Sequence, residues 1–417
     1  LKHQFTKLNK IQNMIRKKLT LGVFGFGCVG QGLYEVLSRT QGLKAEIKKI
    51  CIKDGTKVRN LDATRFTTNK NEILNDPDID VIVELINDDI AAFEIVSTAM
   101  QNGKAVVSAS KKMIANNLRA LYQLQQTYKV PFLYEAACCA SIPIIRNLEE
   151  YYDNDLLHSL EGIFNGSTNY ILTKIFDEGK SFELALKEAQ DLGFAETDPS
   201  MDIEGYDPKF KLCILLLHAF GIFVKPEQIF NFGINRINDF DINYAKEKHA
   251  RIKLIAKCRK VNDEVYAYVF PHFVNGNSQL TNINNEYNGV IVESAFSDKQ
   301  FFAGKGAGST PTGSAVLSDI SALSFDYRYE YRKTSQQLAV NAISGLREQD
   351  TLLLNNYIPI KVYVRYKNDA AINLGDFDSI IERYSSDGLN YVIGIISLNL
   401  IMEANWAKAA DLNIIAL

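Results

Sequence analysis

Histidine is scarce in this chain, and its cysteines lack any metal-binding spacing. Five histidines in 417 residues, with no C-x-x-C pair, exclude the usual zinc frameworks. The six cysteines (28, 51, 138, 139, 213 and 258) show no disulfide pattern. Several lie in apolar runs, which reads as reduced core thiols of a cytoplasmic protein. No apolar stretch approaches the roughly 18 residues of a membrane span. Excess charge of one sign is also missing. With 46 Lys+Arg against 49 Asp+Glu and a net charge of -3, nothing calls for nucleic acid or a membrane surface as partner. Long repeats and low-complexity tracts are absent as well. What remains is a globular composition, 47% hydrophobic and 23% charged, long enough for two or three domains. Residues 1–18 carry basic residues and no acid. They read as a disordered lead-in with Met14 as a natural start, since the serine richness of a transit peptide is lacking.

Residues 19–150 have the pattern of a doubly wound α/β domain. The apolar strand Leu19–Phe26 runs into Gly25-Phe26-Gly27-Cys28-Val29-Gly30 and then into a helix. That order of strand, G-x-G-x-x-G and helix is what a dinucleotide-binding (Rossmann) turn requires. The glycines allow a tight turn, backbone approach to a pyrophosphate and close helix–strand packing. The next strand, Ala45–Ile52, ends at Lys53-Asp54, with Lys57 and Arg59 beyond. The cations favour the 2′-phosphate of NADP, while Asp54 leaves NAD open. Val81–Ile86 is a buried parallel strand by its continuous apolar run. Ala105–Val107 and Phe132–Ala136 are further strands. Glu135, among small and apolar residues, needs either a cation or backbone N–H groups as partner.

From about residue 150 alternating strand-like segments and helices indicate an α+β domain over 151–325. The glycine-rich stretch 304–313 returns the chain toward the nucleotide domain. Residues 356–417 read as a small ferredoxin-like tail. Ile358–Tyr366 and Leu389–Asn399 are its strands, Phe377–Tyr384 its helix, and Leu412–Leu417 a last strand.

The most informative stretch is 189–211, AQDLGFAETDPSMDIEGYDPKFK. It gathers Glu196, Asp202, Asp207 and Lys211 ahead of the apolar helix LCILLLHAFG. Asp207-Pro208 reads as an N-cap followed by proline at the first helical position. Asp207 and Lys211, four apart, share one helix face. A lysine beside the positive end of so apolar a helix is held where its charge is disfavoured, which suits proton exchange near neutrality. The plainer reading makes Asp207 a cap and the other acids solvated loop residues.

This stretch resembles the signature of homoserine dehydrogenases. Ala189, Gly193, Phe194, Ala195, Asp198-Pro199, Asp202-Ile203, Gly205, Asp207 and Lys211 follow that pattern without departure. Gly162-Ile-Phe-Asn165-Gly166-Ser-Thr-Asn169-Tyr-Ile-Leu-Thr173 is similar to a second family motif. The resemblance covers about 19–325. It implies NAD(P)-dependent interconversion of L-homoserine and L-aspartate 4-semialdehyde, in the biosynthesis of threonine, methionine and isoleucine. It assigns Lys211 the alcohol proton, places Lys111 near substrate and nicotinamide, and gives Asp202 an orienting role. Gly193, Glu196 and Asp207 would hold the amino acid. Gly25 through Gly30, Lys53, Lys57, Lys111, Gly306 and Gly308 would contact the nucleotide. Glu135, with the carbonyls of Cys138, Ala140 and Ile142, matches a sodium site. An apolar strand edge of the second domain offers pairing across a dimer axis, which points to a homodimer. With no kinase-length segment before the nucleotide fold the expectation is a monofunctional enzyme with no fused aspartate kinase, and the tail resembles a worn ACT-like regulatory domain.

Some positions depart from the family. Its T-A-N-K is Ser108-Ala109-Ser110-Lys111, its glycine pair after E-L-I is Asn87-Asp88, and its G-P-G-A-G is Gly304-Lys305-Gly306-Ala307-Gly308. Asn87-Asp88 is expected to crowd the nucleotide loop. Two other readings use the same residues: an inactive amino-acid sensor, and a dehydrogenase for a related amino-acid alcohol.

Overall fold

A computed structural model describes residues 18–154, 156–262, 264–337, 355–367, 371–386 and 388–417. The basic lead-in therefore lies outside the described residues, apart from Lys18. The chain divides into two compact units. One takes the residues up to Arg146 and Gly308–Glu330; the other takes Asn147–Ala307 and Tyr331–Leu417.

The first unit is built on a six-stranded sheet. Its strands are β1 (Leu19–Phe24), β2 (Ala45–Cys51), β3 (Phe66–Thr67), β4 (Val81–Glu84), β5 (Ala105–Ser108) and β6 (Phe132–Leu133). The spatial order is β3-β2-β1-β4-β5-β6, with every pairing parallel. Leu21, Val23, Val81, Ile82, Val83, Val106 and Val107 are all buried, as strands covered on both faces must be. Crossover helices follow the strands: α1 (Cys28–Arg39) after β1, α2 (Asp89–Gln101) after β4 and α3 (Lys111–Tyr128) after β5. Order reverses beside β1, so the carboxyl ends of β1 and β4 flank the switch point where such sheets bind ligands.

The second unit carries a ten-stranded mixed sheet. Its strands are β7 (Leu157–Ile163), β8 (Phe230–Asn231), β9 (Ala250–Val261), β10 (Glu264–Asn275), β11 (Tyr287–Ser294), β12 (Asp298–Lys305), β13 (Pro359–Tyr366), β14 (Ser379–Ser386), β15 (Leu389–Ser397) and β16 (Asn413–Ala416). They run in the order β12-β11-β7-β9-β10-β16-β13-β15-β14, with β8 beside β10. Among the described residues its helices include α4 (Gly166–Glu178), α5 (Phe182–Asp191), α6 (Tyr206–Phe220) and α7 (Asp239–Glu247). In α6 every residue from Asp207 to Phe220 is buried, which its all-round apolar sequence demands. Helix α8 (Ser309–Leu323) belongs to the first unit.

The tail departs from the ferredoxin-like expectation. The helix expected over 377–384 is instead strand β14, paired antiparallel with β15 from Ser379–Ile395 to Ser386–Leu389. Phe377, Ile380, Ile381 and Tyr384 are spaced as a helix would space them, but the local chemistry is that of a hairpin. Ser386 and Leu389 close a two-residue connection, and Gly388 sits at φ +80°. Asp387-Gly388 in the sequence is a strong signal for such a turn. Pairing to the apolar strand β15 outweighs helical spacing. The tail also shares its core with the rest of the unit: Val362, Val364, Val392, Ile396 and Ile414 cluster with Phe232, Tyr268 and Phe270.

Candidate active site

In the second unit the chain turns through Gly205 (φ +83°) directly into α6, which begins at Tyr206. Asp207 is therefore inside the first turn and Gly205 is the N-cap, a correction to the capping role read from Asp207-Pro208. The left-handed glycine opens the helix earlier than the proline signal suggests. Asp207 and Lys211 face each other one turn apart, with Nζ 2.7 Å from Oδ2. Both are buried, at 2% and 7% exposure. Lys211 Nζ also donates to the Phe164 carbonyl at 2.6 Å. The ammonium group thus has a carboxylate and a backbone carbonyl as hydrogen-bond partners.

Asn165 links the acids. Its Nδ2 donates to Asp202 Oδ1 at 2.6 Å and to Asp207 Oδ2 at 2.8 Å. Its Oδ1 caps α4, accepting from the Thr168 backbone N–H at 2.8 Å. One asparagine thus fixes the N-terminus of α4 and the carboxylates on either side of Gly205. It belongs to the motif quoted above, yet nothing in its spacing gives it this role. The structure brings Asp202, Asp207 and Lys211 into one polar cluster. Glu196 sits on the exposed turn after α5, its carbonyl accepting from Gln190 Nε2 at 3.0 Å. Gly193, also exposed, adopts φ +75° in that turn. Lys209, on the other side of α6, is buried with its ammonium group 4.7 Å from the Tyr206 ring centroid. Burial lowers its pKa.

In the first unit the glycine-rich turn has the form its sequence requires. Gly25 adopts φ +97°, and a Cβ there would stand 2.7 Å from the Leu85 carbonyl oxygen. At Gly30 a Cβ would stand 2.5 Å from the Gly25 carbonyl, whereas the space around Gly27 is open. Gly25 and Gly30 shape the turn, and Gly27 leaves the approach to the backbone clear, as a pyrophosphate needs. Cys28 is exposed and Val29 half-buried at the start of α1. Phe26 packs edge-on against Phe66 at 5.5 Å between centroids.

Beyond β2 the loop forms an open cleft of about 560 Å³ lined in part by Thr56, Lys57, Arg59, Phe66, Thr67 and Thr68. The Arg59 guanidinium lies 5.4 Å from the Phe66 ring centroid. Asp54 is turned onto its own loop, where Oδ1 accepts from the Thr56 hydroxyl at 2.7 Å and the Thr56 N–H at 2.8 Å. Those bonds lower its pKa. Lys53 and Lys57 are exposed.

At the ends of β4 and β5, fully buried Glu84 accepts from Ser108 Oγ at 2.6 Å, Ser110 Oγ at 3.0 Å and the Ile86 N–H at 2.7 Å. Burial raises its pKa. Ser110 precedes Lys111, the half-buried first residue of α3. Asp88 does not take up a glycine-like conformation. With φ -87° it caps α2, its Oδ1 accepting from the Ala91 N–H at 3.0 Å. Asn87 and Asp88 are both exposed ahead of that helix. Lys111 and Gly308 belong to the first unit, Lys211 and Gly306 to the second.

Glu135 is 2% exposed and takes backbone N–H groups as partners. Oε1 accepts from Ile145 at 2.8 Å and Oε2 from Arg146 at 2.9 Å. Asp319, also buried, accepts from the Glu135 N–H at 2.9 Å and pairs with Arg146 at 2.6 Å. Burial and the neighbouring Asp319 push the Glu135 carboxyl up to about 8. The buried carbonyl-bearing residues Cys138, Ala140 and Ile142 follow, with Cys139 and Ala140 at φ +54° and +44°. The Ile142 carbonyl already accepts from the Ile144 N–H at 2.8 Å. Carboxylate and carbonyl oxygens are the donor type that a hard cation takes.

Known proteins fit this arrangement. A family model described as homoserine dehydrogenase matches residues 143–321, and one described as homoserine dehydrogenase, NAD binding domain, matches residues 25–135. The homoserine dehydrogenase of Bacillus subtilis is 34% identical over 316 residues, 74% of this chain and 73% of that one. The chain belongs to the homoserine dehydrogenase family. The family's enzyme from Helicobacter pylori is 35% identical over 314 residues, 73% of this chain and 74% of its own. Among solved structures, a homoserine dehydrogenase from Thiobacillus denitrificans superposes with a TM-score of 0.82 at 29% identity, covering 96% of this chain and 98% of that one. A hyperthermophilic archaeal homoserine dehydrogenase mutant in complex with NADPH gives a TM-score of 0.64 at 25% identity, covering 75% of this chain and 100% of that one. The family relation fixes the first unit as an NAD(P)-binding domain of Rossmann type. Among the described residues no helix is long and apolar enough to cross a membrane.

Proposed function

We propose that this chain interconverts L-homoserine and L-aspartate 4-semialdehyde, with Lys211 exchanging the proton on the substrate oxygen. The observation that carries this reading is the buried Asp207–Lys211 pair anchored on the Phe164 carbonyl. A nicotinamide, when bound, supplies or accepts the hydride. As an aldehyde is reduced its oxygen becomes negative, and an ammonium group held beside it stabilises that charge and delivers the proton. In the oxidative direction a deprotonated lysine takes the proton from the alcohol. Asp207 holds Lys211 in place, and Asp202 is tied to Asp207 through Asn165. Glu196 and Gly193, on the exposed turn after α5, would meet the amino acid's charged end.

For the nucleotide, the turn from Gly25 to Gly30 would hold the pyrophosphate. Lys53, Lys57 and Arg59 would take a 2′-phosphate, which favours NADP, since the Asp54 carboxylate is spent on Thr56. Lys111, Gly306 and Gly308 are assigned to the cofactor by resemblance. Glu135 and the carbonyls of Cys138, Ala140 and Ile142 would hold sodium, whose charge would offset the cost of an ionised buried acid. A second copy pairing along an edge of the ten-stranded sheet would give the homodimer, which sedimentation checks. The activity is tested by initial rates of homoserine-dependent reduction of NADP and of NAD, with and without sodium. Turnover with a higher rate on NADP is expected. Folded protein that binds nucleotide but does not oxidise homoserine would overturn the reading.

A further inference from the structure

Asn288 lies on β11, fully buried, one step beyond the ladder in which Gly289 pairs with Ile163. That step sets it opposite Phe164, whose carbonyl holds Lys211. Asn288 Nδ2 donates to this same oxygen at 3.4 Å, so one carbonyl serves two side-chain donors. The other half of the amide fares worse. Among the described residues its buried Oδ1 has no hydrogen-bond partner, and Gly306 lies so near that a Cβ there would stand 2.1 Å from it. A buried amide satisfied on one side only is a poor choice for stability, and a leucine of similar shape would avoid the penalty.

The approach to Asn288 is firmly built. Asn169 Nδ2 donates to the carbonyls of Ile283, Asn285 and Tyr287 at 3.1, 2.9 and 3.1 Å. Buried Lys253 donates to Asn169 Oδ1 at 3.0 Å and to the Ile283 carbonyl at 2.5 Å. The Gly306 N–H donates to the Glu286 carbonyl at 3.0 Å. The segment leading to Asn288 is thus pinned at several points, and the amide cannot easily turn away from Phe164.

We propose that Asn288 is a positioning residue for the proton transfer: by sharing the Phe164 carbonyl it sets the place and the hold of the Lys211 ammonium group. This rests on the reading of Lys211 as the proton-exchanging group. Without the Asn288 donor Lys211 no longer shares the carbonyl with that amide. The ammonium is then drawn toward Phe164, away from substrate, and its protonated form is favoured. Asp207, its ion-pair partner, and Asp202, linked to Asp207 through Asn165, both remain.

The test compares wild type with Asn288→Leu and Asn288→Asp, using homoserine oxidation across pH, substrate binding and thermal melting. Asn288→Leu should lower kcat by roughly tenfold to a hundredfold, the effect of a small misplacement. KM for homoserine should change little, and the basic activation limb of the pH profile should move to higher pH. Asn288→Asp decides if the leucine variant does not fold. Its protonated acid donates as the amide does and its ionised form repels the carbonyl, so its rate relative to wild type should fall as pH rises. A folded variant with the wild-type kcat and pH profile overturns the proposal. So does a loss of kcat that merely follows loss of folded protein, or an Asn288→Asp ratio that is flat with pH. Failure of wild type itself to turn over homoserine is a different result and strikes the functional reading alone.

Discussion

Asp207 and Glu135 are equally buried, each 2% exposed, yet their surroundings give them opposite chemistry. Asp207 has a cation 2.7 Å away on its own helix and an asparagine donor on the same oxygen. Glu135 has two backbone N–H groups, while the nearby Arg146 spends its charge on Asp319. Burial alone therefore does not say what an acid is for. Where the counter-charge is a lysine also held by a carbonyl, the acid completes a buried ion pair. Where two acids share one arginine, one of them is left to protonate or to seek a cation.

Removing Asp207 should break the comparison most severely. Asp207→Ala leaves a buried ammonium without its carboxylate, at a cost of about 3–5 kcal/mol to the second unit. It should also reduce kcat by roughly 10²–10⁴. Thermal melting together with steady-state kinetics checks both, and near-normal turnover would mean that Lys211 needs no partner.

Glu135 sharpens the comparison through pH. Its ordinary value is 4.5 and its folded value about 8, so the folded protein binds the proton more tightly than the unfolded chain. The proton-linked stabilisation is present at low pH and is lost as pH rises from about 4.5 through about 8, with a slope of at most about 1.4 kcal/mol per pH unit. Glu135→Gln should flatten that slope, and sodium should do so in wild type by favouring the ionised acid. Melting temperatures from pH 5 to 8, with sodium or a bulky organic cation, measure this. A sodium-independent slope would remove the cation from the account.

Arg59→Ala should have the smallest effect. If Arg59 meets a 2′-phosphate, its loss should lower the preference for NADP over NAD by about tenfold, one charge-assisted contact. Melting should barely change. An unaltered kcat/KM ratio for the two cofactors would place the phosphate elsewhere.

The two units were also unequally legible in sequence. In the first, the strand, the glycine turn and the helix are contiguous, so local pattern carries nearly all of the information. The D-x-x-x-K spacing on α6 is local too, and it brought Asp207 and Lys211 together on paper as it does in the fold. The linking contacts of Asn165 and Asn288 were not legible in sequence. They reach Asp202, Asp207 and Phe164 only through long-range packing, and an asparagine that bridges elements looks in sequence like any cap or strand residue. The tail failed for the opposite reason. Four apolar residues at helical spacing hid the Asp387-Gly388 turn signal, and strand pairing with β15 won.

The most direct test of the account is turnover by Lys211→Ala, measured beside homoserine and nucleotide binding in the same preparation. The predicted result is kcat reduced by at least about 10², with both ligands still bound and the pH dependence of the residual rate altered. Turnover at the wild-type rate with an unchanged pH profile would contradict it, and would leave the Asp207–Lys211 pair as a structural ion pair only.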